Sequence, residues 1–510
     1  MPTMQAGVLE PLIIRASEPA FSRSTLLRIA ALTPAVLLIH GYHPFADDAG
    51  IYVAGVRKLL NPALYQVDAP FVLATTHLSV FAHLLAAAVR VTHLPLTWVL
   101  LAAHLASIFL YLLAGWLIAR AVFARKAERW SAVLCAAACF TLPAAGTALA
   151  VMDPYVTSRS FSTPLGLFAV AAVLERRWGW AALLVALVGL MHPLMAIYAA
   201  TIVMLYFVAD VGHPRWAAAL GAAGVVAVGI LWLATRHASV SPAYLETMHN
   251  QLRTFLFPAL WKWYEALGLI APLLLFALAA DRAEPRGRTR KLCLACIVLG
   301  VSSALAAALF VHVSGPFLLV RLQLLRSFHI LYALGVLLLG GWLGGALWRR
   351  SSTRWVLIGM LAIAATGLFA AQRATYSDSA HVEWPWTRPR NPWAQAYVWV
   401  RKNTLANAVF AANPELVFLD EVDAQGFRAT AERSILADDK DQGIAAIDPS
   451  IAAAWAAQRD AQLGVDTMPD AERVRRLRPF GVTWLLLPAD SATGFACPYK
   501  NAVAKVCRME

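Results

Sequence analysis

Apolar runs long enough to cross a bilayer recur from about residue 24 to about residue 371, and this recurrence constrains the chain more than any motif it carries. Surface of that kind needs lipid, not water, around it. Composition agrees: of 510 residues, 60% are hydrophobic and 14% charged, where soluble domains carry roughly 45–50% and 25%. A soluble enzyme is excluded, and the fold class expected is an α-helical polytopic membrane protein.

A formal net charge of +13 would suggest a nucleic-acid partner if it were spread evenly. It is not. Residues 1–372 hold 27 Lys/Arg against 13 Asp/Glu, whereas residues 373–510 hold 16 against 17. The excess clusters in short polar gaps: Arg120 to Arg129, Arg176 and Arg177, Arg282 to Lys291, and Arg349 to Arg354. Short positive gaps resist translocation, so they mark the cytoplasmic side, and no nucleic acid is expected.

With those gaps inside, eleven spans follow. The first, at about Leu26 to Ile39, leads to a long outer loop, 41–95. The apolar stretch Phe71 to Val91 within it is predicted to lie at the interface, because a crossing there would put Arg120 to Arg129 outside. Further spans are predicted at 96–119, 131–150, 161–174, 179–191, 193–209, 215–234, 265–280, 292–312, 327–347 and 355–371. No cleavable signal peptide is recognised at the N-terminus, which is placed in the cytoplasm. The pair broken at His192-Pro193 is predicted as a hairpin, since one kinked helix would invert everything after it. Arms of roughly 20–25 Å fall short of the ~30 Å hydrocarbon layer, so the tip should be submerged below a cavity.

From residue 373 the composition becomes that of a soluble domain. Helix-like stretches (Trp393 to Lys402, Ser450 to Gln462, Asp470 to Arg478) alternate with strand-like ones (Ala408 to Ala412, Phe427 to Ala437, Val482 to Leu487). A small extracytoplasmic α/β domain over 373–510 is predicted, behind a transmembrane domain over 1–372. The spacing of Cys497 and Cys507 permits a local disulfide, which an outer compartment would preserve. Cys135, Cys139, Cys293 and Cys296 fall within spans and read as small apolar residues. Asp438 to Asp441 reads as a solvated turn, with a cation site as the rarer alternative.

Acidic residues are scarce in the membrane half, so their positions carry information. Asp47 and Asp48 follow closely on the end of the first span. A carboxylate held there can act as a general base, help hold a divalent cation such as Mg²⁺ or Mn²⁺ against a phosphate, or simply cap the next helix. Asp153 and Arg159 share one short outer loop and either pair with each other or face a cavity. Arg321 and Arg326 bracket the start of a span, where an arginine either snorkels or holds an anion. His192, at the hairpin tip, either bonds carbonyls freed by Pro193 or binds substrate from the cavity floor.

A first span followed at once by His43-Pro44-Phe45-Ala46-Asp47-Asp48, a long outer segment, and an outer C-terminal domain after eleven spans together resemble the GT-C superfamily of polyprenyl-phosphate-sugar-dependent glycosyltransferases. The likeness covers the layout of nearly the whole chain, and its one local motif is the acidic pair. It implies transfer of a sugar from a lipid-linked donor to a glycan, lipid or protein acceptor on the outer face of a bacterial inner membrane. By position Asp47 or Asp48 matches the family's catalytic base. Arg326, with Arg321, would hold the donor phosphate, and Asp153, Arg159, His192, Tyr52 and His43 would shape the cavity. Rival readings are a catalytically silent assembly protein of the same layout and a flippase or polymerase of lipid-linked saccharides. A flippase should show internal repeats and charges deep within spans, and neither stands out.

Overall fold

A computed structural model of the chain describes residues 22–212, 241–249, 256–311, 320–348, 350–419 and 422–509. Its helices fall where the apolar runs predict. α1 (Arg23–His40) is capped by Ser22, whose hydroxyl accepts from the Thr25 amide, and it ends at Gly41 with φ +81°. Only glycine suits that end, because a Cβ there would lie 2.7 Å from the His381 carbonyl oxygen. The close approach lets Tyr42 pair with Val382 as an isolated parallel bridge, tying the first span to the segment after the last.

The segment 41–95 holds α2 (Asp48–Leu60), α3 (Ala69–Leu78) and α4 (Phe81–Thr92), followed by α5 (Leu96–Val122) and α6 (Lys126–Ala138). Beyond them run α7 (Ser158–Leu174), α8 (Trp178–Met191), α9 (Pro193–Val211) and α10 (Pro242–His249). α11 (Trp263–Arg282), α12 (Arg288–Phe310), α13 (Phe328–Leu347) and α14 (Ser351–Thr375) complete the membrane part. Among the described residues seven helices are long and apolar enough to cross a bilayer, or eight if α3 and α4 count as one broken span. The span predicted at 215–234 lies outside the described residues. The chain is a polytopic helical membrane protein.

Two elements of the membrane part differ from expectation. The stretch Phe71 to Val91 is not one interfacial helix, since α3 and α4 meet at a 95° bend. The bend is where the hairpin tip docks: the Val80 amide donates to the Leu190 carbonyl at 3.0 Å and the Ser79 hydroxyl donates to the Met191 carbonyl. The span predicted at 131–150 stops at Ala138. Pro143 lacks an amide proton and disfavours helix in the residue before it. Residues 140–152 instead fold into a buried irregular hairpin, with Pro143 bridging Ala150 and the Met152 amide donating to Phe140. Non-helical backbone at such a position must find partners within the protein. Arg326 donates to the Thr147 carbonyl, and the His329 ring lies 3.0 Å from the Val151 carbonyl.

After α14 a short aromatic neck stacks Trp384 on Trp386 and Trp386 on Trp98 at the start of α5. Then come α15 (Pro392–Asn403), β1 (Val409–Ala411), α16 (Phe427–Ala431), β2 (Ser434–Ile435), α17 (Gln442–Ile447), α18 (Ala452–Gln462), α19 (Asp470–Leu477), β3 (Trp484–Pro488), β4 (Tyr499–Lys500) and β5 (Ala504–Arg508). The sheet order is β2-β1-β3-β5-β4, with β1 parallel to β2 and β3, and β5 antiparallel to β3 and β4. Alternation along the strands serves two cores: Phe410, Leu486 and Val506 pack on one face, Val409, Leu485 and Cys507 on the other. The strand predicted over Phe427 to Ala437 begins instead as the short helix α16, Phe427–Ala431. Left-handed Gly426 and Glu432 bound that turn, and only Ser434–Ile435 joins the sheet.

Cys497 and Cys507 form a disulfide that fastens the loop before β4 to β5. Replacing both with serine is expected to cost about 2–4 kcal/mol of stability, because the reduced chain regains loop freedom when unfolded. A melting curve of the purified variant beside the wild type reads it out, and superimposed curves would reject it.

Candidate functional site

Six separate stretches meet around one cavity of about 380 Å³: the start of α2, the α3–α4 bend, the start of α7, the hairpin tip, the turn before α13, and the turn before α17. They bring Asp48, Tyr52, Arg159, His192, Arg321 and Arg326 together, with Ser158 and Lys440 beside them. Apolar side chains complete one wall, among them Leu78, Met191, Leu194, Ile197 and Ile447.

The two aspartates part company here. Asp47 adopts φ +46°, a conformation that L-residues rarely hold, and its amide is taken by the Gln425 side chain. Its carboxylate turns from the cavity, accepting a 2.7 Å hydrogen bond from Tyr155 and contacting the Lys440 ammonium. Asp48 sits in the first turn of α2, where the helix dipole favours an anion, and it does line the cavity. One of its oxygens lies 2.8 Å from Arg159 and the other 3.0 Å from Lys440.

Arg159 is buried at the head of α7, whose capping box joins Thr157 and Ser160. It bridges Asp48 to Asp153, which lies 3.0 Å away. Asp153 is thus placed beneath Arg159, outside the cavity lining, and not facing it. Burial pushes the Asp153 carboxyl above the usual carboxylate range, and Arg159 opposes that shift. His43 is likewise absent from the lining. Its ring stacks on Tyr376 at 3.9 Å and its Nδ1 lies 2.9 Å from Glu383, because the bridge at Tyr42 pulls it toward the neck. Tyr52 accepts from Ser158 at 3.1 Å and faces the cavity.

Arg326 is carried on a 3-10 turn, Leu324–Ser327, pinned by the Tyr198 hydroxyl donating to the carbonyls of Leu322 and Gln323. Its Nε donates to the Thr147 carbonyl at 3.3 Å, which fixes the stem of the side chain, and the residue lines the cavity. The His192 imidazole does not bond the carbonyls of the broken hairpin, although its backbone amide donates to Val188 at 2.7 Å. Val80 and Ser79 serve Leu190 and Met191, and the buried Nδ1 of His192 has no hydrogen-bond partner among the described residues.

No protein-family model matches the chain, and no curated protein does. Among solved structures it is similar to the archaeal oligosaccharyltransferase AglB from Archaeoglobus fulgidus in complex with an inhibitory peptide and a dolichol-phosphate, with a TM-score of 0.41 and 13% identity. It is similar also to an Archaeoglobus fulgidus oligosaccharyltransferase tethered to an acceptor peptide containing the NVT sequon, with a TM-score of 0.41 and 12% identity. Each match covers 92% of this chain and 69% of the other. Likeness at that level does not assign an activity; the side chains have to.

The donor set does not fit a divalent cation as arranged. Lys440 and Arg159 occupy the carboxylates of Asp47 and Asp48, and no three His, Cys, Asp or Glu side chains converge among the described residues. Lys440 is the residue that sequence reasoning missed. The turn Asp438 to Asp441 is not solvated: Asp441 is buried against Arg428, and Lys440 is thereby projected onto the acidic pair. Burial pushes the Lys440 ammonium down to about 7. The only local signal was a lone lysine among aspartates, which says nothing about a partner near residue 48.

Proposed function

We propose that this chain is a GT-C-type membrane glycosyltransferase that moves a sugar from a polyprenyl-phosphate donor to an acceptor hydroxyl. One observation carries the reading: a single cavity presents a carboxylate, Asp48, together with two arginines, Arg321 and Arg326, and an apolar wall. In this reading the isoprenoid lies along Leu78, Leu194 and Ile197, and its phosphate faces Arg326 and Arg321. The acceptor oxygen forms a bond to the anomeric carbon as the bond from that carbon to the phosphate oxygen breaks. The acceptor proton passes to Asp48, and the electron pair stays on the phosphate, where planar guanidinium groups suit it. Lys440 and Arg159 set the charge and direction of Asp48. Residues 1–372 would be the membrane domain and residues 373–510 an outer, periplasmic domain that closes the cavity from above. The arginine-rich gaps at the other ends of the spans favour that orientation.

Arg326→Gln is expected to weaken binding of undecaprenyl phosphate about 10- to 100-fold, the worth of one charge-assisted hydrogen bond. Titration of the purified chain in detergent measures it. Equal affinity in the variant would remove Arg326 from the donor site.

A silent assembly protein of the same layout is the second reading, and one observation favours it. Asp48 is held by two cations at once, so both of its oxygens are already engaged. Loss or survival of glycan transfer when Asp48 is changed separates the two.

A further inference from the structure

A second cavity, about 780 Å³, lies at the opposite ends of the same helices. α7 carries Arg159 to the first cavity and Arg176, just past its other end, to the second. α9 likewise runs from Pro193 at the first to Asp210 at the second. Helices of 17 and 19 residues separate their ends by roughly 25–29 Å, so the two cavities lie most of the ~30 Å hydrocarbon thickness apart.

The chemistry of this cavity is one-sided. Five cations line it, Arg176, Arg282, Arg286, Arg288 and Lys291, against the carboxylates of Glu128, Asp210 and Glu284. Arg176 and Lys291 are committed to Asp210, and Arg288 pairs with Glu175 at 3.1 Å. Arg282 and Arg286 have no ion-pair partner among the described residues; Arg282 lies over the Trp342 ring at 5.5 Å. α12 also opens here. Its N-cap is Gly287, with no side-chain cap, and Gly287, Arg288 and Thr289 line the space, so the positive end of the helix dipole adds to the cations there. The inner wall is different: Val122, Phe123, Ala279 and Trp342 run from the charged rim into the bundle. A free anion would use only the rim. A group with a phosphate head and an acyl tail would use both.

We propose that this cavity is a binding site for the phosphate headgroup of an anionic phospholipid, held by Arg282 and Arg286 at the end of the bundle remote from Asp48. The site is independent of the sugar-transfer reading, since none of its residues lines the first cavity.

The test uses the full chain purified in a neutral detergent. Added phosphatidylglycerol is expected to raise the melting temperature by several degrees, and phosphatidylcholine is not. In the double variant Arg282→Gln/Arg286→Gln that rise should fall to less than about half. Both side chains are exposed, so the lipid-free melting temperature should hold. The charge-keeping variant Arg282→Lys/Arg286→Lys should retain most of the rise. An undiminished rise in the glutamine variant overturns the site. An equal rise with inorganic phosphate at the same concentration overturns the lipid as its occupant.

Discussion

Asp48→Asn is expected to lower sugar transfer about 10²- to 10⁴-fold, the range for loss of a positioned general base, while Asp47→Asn stays within about tenfold of the wild type. The two aspartates are adjacent in sequence and differ only in where the backbone sends them. Asp48 lines the cavity opposite Arg326, whereas Asp47 turns toward Tyr155 and keeps an oxygen for that hydroxyl even as asparagine. The measurement is surface glycan by mass spectrometry in cells carrying each variant, with protein level and melting temperature checked alongside. Those controls matter because Asp48→Asn also leaves Arg159 and Lys440 with one carboxylate fewer between them. A well-folded Asp48→Asn chain with unchanged glycan would overturn Asp48 as the base and favour the silent reading. Equal losses in both variants would instead point to their shared contact with Lys440, and so to closure by the C-terminal segment.

What the chain declared in advance was its solvent. Apolar runs and basic gaps are local quantities, and they located α1, α5, α7, α8, α9, α11, α12, α13 and α14 to within a few residues. The proline at 143 was also visible, yet hydropathy averages over it, so the end of α6 at Ala138 was overrun. The 95° bend at Ser79 could not be read at all, since the donors that hold it open serve carbonyls of the hairpin tip more than a hundred residues away. The site shows the same division. Asp48, Arg321, Arg326 and His192 stood out because charged or imidazole groups are costly in a membrane and their placement is informative. Lys440 did not, because a lysine in a polar segment costs nothing locally; only the docked fold gives it two carboxylates. His43 stood out for the wrong reason, its nearness in sequence to Asp47, whereas the bridge at Tyr42 turns it toward Glu383.

Docking of the C-terminal segment is also where the largest loss of stability is expected. Arg428 reaches Asp68 at 2.5 Å and clasps both oxygens of Asp441 at 3.0 and 2.8 Å, and all three residues are buried. Asp68 immediately precedes α3, 360 residues earlier, so this cluster is a clamp between the C-terminal segment and the helices α2 and α3. An ion cluster of this kind need not be better than well-packed apolar side chains. Breaking it from one side is a different matter, because two carboxylates are then left in a dry site with no counter-charge. Arg428→Ala is accordingly expected to cost about 3–5 kcal/mol, read as a lowered melting temperature and faster proteolytic release of the segment after α14. Arg428→Lys should recover only part of this, since an ammonium cannot span Asp68 and both oxygens of Asp441 together. Because Lys440 immediately precedes Asp441, slackening the clamp also withdraws the cation from Asp48. Sugar transfer should therefore fall in Arg428→Lys by more than its melting temperature alone accounts for, and Asp68→Asn, which leaves the Arg428–Asp441 pair in place, should melt low yet keep more of the activity. If Arg428→Ala melts with the wild type, the C-terminal segment is held by its apolar contacts alone and the link from this clamp to Lys440 is lost.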